Sequence, residues 1–402
     1  MSLPFSIALS SLQANQTAIE VVGNNLANMN TQGYKSSSVG FLDVMLSTTA
    51  GPSDSQQIGA GVAPPYTTRL FTQGGLTSST RPLDAAIQGN GFFIVKDFSG
   101  KALYTRAGTF VLDKSGLLKT PTGELVQGWT GSGLSNIQVS TDGLPAVPTS
   151  KFSVKMNLNA SNPQPFSAPV QIIDSQGKIV DVSINYSPAT DATGAVIANK
   201  WDYSVSTAQA NSPVATGSMT FSADGTLTDP IGSIPLAIPT SAGTTQSVTW
   251  NLKGTDAAGQ PTDIITQKAL PSQFSGVDQD GSPASEFVGA QIVDGGAVVA
   301  NYSDGRQIQI AQLATASVLN PESLVSVGNT FLTPTSSSGP MEIGVPGERG
   351  RGQVLGSTIE ASTVDLAGEL TDLMTYQRGY QASSRIITTA DELMQEALSL
   401  KR

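Results

Sequence analysis
The chain has 402 residues, with 21 lysines and arginines against 31 aspartates and glutamates, a formal net charge of −10. It contains no cysteine and no histidine, which excludes disulfides, thiol nucleophiles, a Ser-His-Asp triad and nearly every zinc or haem site, so no metal or cofactor site is expected. The acidic balance, without a Lys/Arg cluster, argues against nucleic acid, and no apolar run is long enough for membrane insertion.

Only 13% of residues are charged, about half the usual share, so the surface must be built from Ser, Thr, Asn and Gln. The first residues, MSLPFSIALSSLQANQ, lack the basic start and continuous apolar core of a secretory signal. The expectation is a cytosolic chain or one exported without a cleaved signal.

From Leu3 to Asn28 a stripe of Phe5, Leu9, Leu12, Gln16, Ile19, Gly23 and Leu26, thickened by Val22, follows an alternating 4-3 spacing. That is a helix with a coiled-coil-like seam. Gly23 and the amides Asn24, Asn25, Asn28 and Asn30 end the period, because Asn side chains compete with helical backbone bonds. Gly33 then permits a positive φ before Tyr34 and Lys35, so an ordered turn is expected at the helix exit.

A polar run from Ser47 to Gln57 reads as a linker. From about 70 to 345 the chain reads as β. Short alternating runs such as Phe92-Phe93-Ile94-Val95 and Ile308-Gln309-Ile310 are separated by turn signals: DFSG at 97–100, DKSG at 113–116, DSQG at 174–177 and SDG at 303–305. Their spacing is that of hairpins. Residues 147–284 are more polar than their flanks and read as an inserted outer domain. DQDGS at 278–282 opens like a calcium loop but lacks the closing Glu, and reads as a plain turn. GNG at 89–91 precedes a strand rather than a helix, which is not the context of a dinucleotide fingerprint. GERGRG at 347–352 reads as a solvated loop. Most acids sit in Asp-Gly turns, where they already have a structural task, so an enzyme is not expected.

A second helix is expected from about Thr363, with Ser362 or Thr363 as its cap. The same spacing there gives Leu366, Leu370, Leu373, Gln377, Tyr380, Ser384, Ile387, Asp391, Met394 and Leu398, closed by Lys401 and Arg402. Two seams at opposite ends of one chain point to helices that pair with each other or with neighbouring copies. The expected fold is multidomain α+β: paired, long, coiled-coil-like terminal α-helices with mainly-β inner and outer domains. The expected polymerisation interface is Leu9, Leu12, Ile19, Val22 and Leu26 on the first helix. On the second it is Leu366, Leu370, Leu373, Tyr380, Ile387, Met394 and Leu398.

The segment Ala27-Asn28, Thr31, Gly33-Tyr34-Lys35 resembles the A-N-x-x-T-x-G-Y-K signature of the bacterial flagellar rod and hook proteins. Residues 81–129, with Pro82-Leu83-Asp84, Gly91-Phe92-Phe93 and Tyr104-Thr105-Arg106, are similar to that family's central β motif. Residues 355–381, with Glu360, Val364-Asp365-Leu366, Gln377-Arg378 and Tyr380, are similar to its closing motif, although Thr363 replaces the usual Asn. Length and the extra β segment fit the hook-type member; a distal rod protein is the nearer alternative, and a secreted β-rich adhesin or carbohydrate-active enzyme the farther one.

The resemblance implies a subunit of a curved, hollow hook polymer acting as a universal joint that passes motor torque from rod to filament. It implies four parts: terminal helices at 1–28 and 366–402, a connecting segment at 29–70 and 357–365, an inner β domain at 71–146 and 285–356, and an outer one at 147–284. The implied partners are further copies, the distal rod protein, a hook cap, the hook–filament junction proteins and the type III export apparatus. The implied location is the extracellular flagellum.

Overall fold
The computed structural model describes residues 3–47, 57–131, 133–210, 212–240, 243–255 and 261–399. Most of the expected linker at 47–57 lies outside them, as do Lys401 and Arg402. By contacts the chain forms two compact units. The first comprises Met1–Thr141, Val288–Asn301 and Gln307–Arg402; the second comprises Asp142–Phe287 and Tyr302–Arg306.

In the first unit, helix α1 spans Leu3–Ala27 and helix α2 spans Leu366–Ser399. The α1 exit is held by its asparagines: Asn28 Nδ2 donates to the Asn24 carbonyl at 2.9 Å, beside the backbone N–H of Asn28 on the same acceptor. Helix α2 is capped by Asp365, whose Oδ1 accepts from the Ala367 N–H at 3.1 Å. The expected caps do other work: Ser362 Oγ accepts from the Val364 N–H, and Thr363 Oγ1 accepts from the Ser36 N–H at 2.9 Å.

After α1 come two strand pairs. Strand β1 (Ser37–Gly40) is antiparallel to β4 (Tyr66–Arg69), and β2 (Asp43–Ser47) to β3 (Gln57–Val62). Ser10 Oγ of α1 accepts from the Val62 N–H, which seats the helix on β3. Next, β5 (Leu76–Ser78) pairs with Thr358–Glu360, and β6 (Ala85–Gln88) pairs with Gln353–Gly356, both antiparallel. The chain thus enters and leaves this β region side by side. Strands β7 (Phe92–Lys96) and β8 (Ala102–Thr105) lie in a 13-stranded sheet with Leu125–Thr130, Gln307–Leu313 and Phe331–Thr333. Its core holds Phe93 edge-on to Phe110, with ring centroids 5.3 Å apart.

The second unit holds two five-stranded sheets that share one core. Burial alternates along Lys151–Asn159, as the period of a strand with one buried face demands. Trp201, Trp250 and Phe152 are fully buried, and Phe152 stacks on Trp250 at 6.2 Å. The turn spacing predicts hairpins, and the structure departs from that here: Lys151–Asn159 runs parallel to both Thr245–Asn251 and Ile265–Lys268, whose strands are brought in from about a hundred positions away.

The turns use one device four times. Asp97, Asp113, Asp174 and Asp191 each turn Oδ1 back onto the backbone N–H groups two and four residues on, at 2.8–3.0 Å. The DQDGS segment is likewise structural: Asp280 accepts from the Ser150 and Lys151 N–H groups, and Asp278 pairs with Lys155. The GERGRG loop differs from expectation. Arg351 is buried, and its Nε donates to the Val345 carbonyl at 3.1 Å.

Candidate functional site
The two helices pair antiparallel. Ser11 Oγ lies 2.9 Å from Ser383 Oγ, Asn15 faces Gly379, and Asn25 Nδ2 donates to Glu369 Oε1 at 2.8 Å. Equal steps along α1 and α2 separate these contacts, so the helices run in step. A Cβ on Gly379 would stand 2.7 Å from Asn15 Oδ1, so the Asn15 side chain packs where only a glycine leaves room. The buried line of α1 is Ala8, Ala14, Ala18, Val22 and Asn25.

This seam is not the leucine stripe. The 4-3 spacing is present, but the packed face lies one residue aside, on small and polar side chains. Of the expected residues on α1, Val22 alone is buried, while Leu9, Leu12, Ile19 and Leu26 are half-buried. On α2, Leu373 and Ile387 are half-buried, and Leu366, Leu370, Tyr380 and Met394 are exposed. The side chain of Leu398 lies outside the described ones. The physical reason is distance. Ala, Ser and Gly let two helices come close, whereas leucine at the same positions would hold them apart. Met374, Ile386 and Leu393 add to the outward apolar surface of α2. The strands after α1 extend it with exposed Phe41, Leu42, Val44, Met45, Tyr66 and Leu70.

The motif after α1 is a structural lock. Ala27 is exposed. Asn28 Oδ1 accepts from Thr31 Oγ1 at 3.1 Å, closing the turn. Gly33 has φ +67° and donates to the Glu360 carbonyl at 2.9 Å; a Cβ there would meet Ala107 N at 2.6 Å. Tyr34 donates its hydroxyl to Asn25 Oδ1 at 3.3 Å, and burial raises its pKa, with Arg69 opposing. Lys35 is buried. Its Nζ donates to Glu360 Oε1 at 2.6 Å and to the Thr72 carbonyl at 2.5 Å.

Glu360 is the hub. Besides Lys35 it takes Arg106 Nη1 at 3.4 Å and the Gly74 N–H at 2.9 Å, and Arg106 also donates to the Ile87 and Gly89 carbonyls. A buried carboxylate with two cations and a backbone donor has its charge compensated. Burial still pushes the Lys35 amine and the Arg106 guanidinium down, with Glu360 opposing in both cases. Asn25 is equally satisfied: it also donates to the Ser37 carbonyl at 2.8 Å and accepts from the Ser37 N–H at 3.0 Å. Sequence reasoning gave Arg106, Glu360 and Asn25 no role in a site. Their common signal is a polar residue inside a segment that the fold buries.

Four family models match the chain: Flagella basal body rod protein at 5–35, the Flagellar hook protein FlgE/F/G D1 domain at 86–157, the Flagellar basal body protein FlaE D2 domain at 136–282, and Flagellar basal body rod FlgEFG protein C-terminal at 356–400. The chain is 31% identical to the flagellar hook protein FlgE of Escherichia coli K12 over 426 residues, covering 99% of this chain and all of that one. It is 30% identical to the hook protein of Brucella suis, covering 98% of both, and 31% identical to that of Borreliella burgdorferi with the same coverage. The fold is similar to the crystal structure of Helicobacter pylori flagellar hook protein FlgE2, with TM-score 0.52 and 14% identity over 69% of this chain and 99% of that one.

Proposed function
Since the chain belongs to the flagellar hook protein family and is a structural subunit of the hook, we propose that its copies assemble through the outward faces of α1 and α2 and the exposed strands that follow α1. The observation that carries this is the displaced seam: small residues join α1 to α2 and leave Leu366, Leu370, Tyr380 and Met394 outside. A contact of unlike surfaces that does not close into a ring builds an open helical polymer.

In this reading the polymer is a curved tube that joins the distal rod to the filament and carries torque. The helices line its channel, a connecting segment follows, and the two β units lie outside. The remaining partners are a hook cap, the hook–filament junction proteins and a type III apparatus that exports the chain without a cleaved signal. The role is structural and includes no reaction. Negative-stain microscopy of full-length protein, beside a variant lacking residues 1–30 and 363–402, tests it. Curved tubes from the full-length chain alone are expected; tubes from the truncated chain would overturn the interface.

A further inference from the structure
Between the motif turn and the sheet strands Val325–Gly328 and Phe331–Thr333, the first unit holds a cleft of about 700 Å³. Three cations line it, Lys35, Arg69 and Arg106, and no aspartate or glutamate does. That is unusual for a chain with net charge −10. The Lys35 charge is met by Glu360, which lies behind the cleft wall. Arg106 is also joined to Glu360, yet its buried Nε has no partner. Half-buried Arg69 has no hydrogen bond or ion pair from its guanidinium among the described residues. The lining residues Thr120 and Thr122 both donate their hydroxyls to Glu124, which does not itself line the cleft. The rest of the lining mixes amides and hydroxyls with apolar surface from residues such as Pro121, Phe331 and Leu332.

A guanidinium at the wall of a cleft lined by no acid is suited to a carboxylate, which it can bind with two parallel bonds. We infer that this cleft receives an acidic side chain from a second copy of the chain, with Arg69 as its anchor. The inference rests on the proposed assembly and adds to it a charged contact distinct from the leucine face. A second copy is the partner favoured here because its acids outnumber its bases and because the family builds a polymer.

The test is assembly and cross-linking with full-length protein. Arg69→Gln is expected to leave the monomer's circular dichroism and melting unchanged and to raise the concentration needed for polymer by about tenfold. Arg69→Lys keeps the charge and is expected to assemble. In that polymer a carbodiimide converts a carboxylate to an O-acylisourea; the new amine attacks its carbonyl carbon to form an amide, and the isourea leaves as a urea. Mass spectrometry is expected to find this link between two copies, and not in monomer. Assembly of Arg69→Gln at the wild-type concentration, or a link found only within one copy, overturns the inference. If wild-type protein forms no polymer at all, the assembly reading fails first, and the link is then sought in concentrated Arg69→Lys solution, where its absence also overturns the cleft contact.

Discussion

Lys35 Nζ and Glu360 Oε1 lie 2.6 Å apart although 325 positions separate them in the chain. The pair ties the turn after α1 to the strand that leads into α2, and Arg106 brings a third stretch of chain to the same carboxylate. Glu360→Gln would leave two buried cations without a counter-charge. A loss of about 3–5 kcal/mol in unfolding free energy is expected. Lys35→Met is expected to cost less, because Glu360 keeps Arg106 and the Gly74 N–H. Urea titration of both variants measures the difference, and equal losses would mean that Lys35 alone carries the site.

Leu370 and Val22 separate the two helix faces. Leu370 is exposed and Val22 is buried in the seam. Leu370→Asp is expected to change monomer stability by less than about 0.5 kcal/mol, as surface substitutions do. It is expected to raise the concentration needed for assembly by about tenfold or more, since a buried leucine is worth roughly 1.5–3 kcal/mol. Val22→Asp buries an unpaired charge and is expected to loosen the helix pair within the monomer, read as faster amide exchange along α1 and α2.

Burial raises the Glu369 pKa, the Asn25 hydrogen bond opposes, and Asp372 and Asp365 raise it further. A carboxylate with a folded pKa above its unfolded value weakens the fold as pH rises through that window, which begins near about 4.3. Glu369→Gln retains an acceptor for Asn25 and does not titrate. It is expected to be more stable than wild type at pH 7, by less than about 1 kcal/mol. The gain is expected to vanish as the pH falls below the window. Thermal melts across pH check this.

Asp113 shows the opposite sign. Lys119, the Ser115 hydroxyl and the Leu117 N–H hold its carboxyl far below the ordinary range. The stabilisation is complete above the unfolded value of about 3.9 and is lost as pH falls through the folded one. Asp113→Asn is expected to be less stable than wild type at neutral pH. Its deficit is expected to start closing only below about pH 4.

Gly33→Ala is expected to destabilise the first unit by about 1–3 kcal/mol, because the new methyl would meet the Ala107 backbone while the residue is held at φ +67°. A shift in the urea midpoint measures it. An unchanged midpoint would mean that the turn relaxes without harm.

The helices were legible because a 4-3 spacing is a local signal, and so were turns such as those at Asp97 and Asp174, where one side chain serves its own backbone. The packed face was not. Hydrophobicity ranks Leu12 and Leu370 above Ser11 and Gly379, while close approach of two backbones requires the reverse order. The parallel pairing of Lys151–Asn159 was hidden because its partners lie about a hundred positions away and no turn announces them. The Lys35–Arg106–Glu360 cluster was hidden for the same reason: each member stands in a recognisable segment, but nothing local says that the three meet.

The side-by-side pairing of β5 with Thr358–Glu360 and of β6 with Gln353–Gly356 sets a timetable. A chain that emerges from its N-terminus first presents Lys35, Gly74 and Arg106 long before Glu360 arrives. The second unit, almost continuous in sequence, has nearly all its strands available while the first still waits for its closing segment. The last stretch to appear is therefore the one that completes the first unit, so an unfinished chain cannot settle there ahead of time.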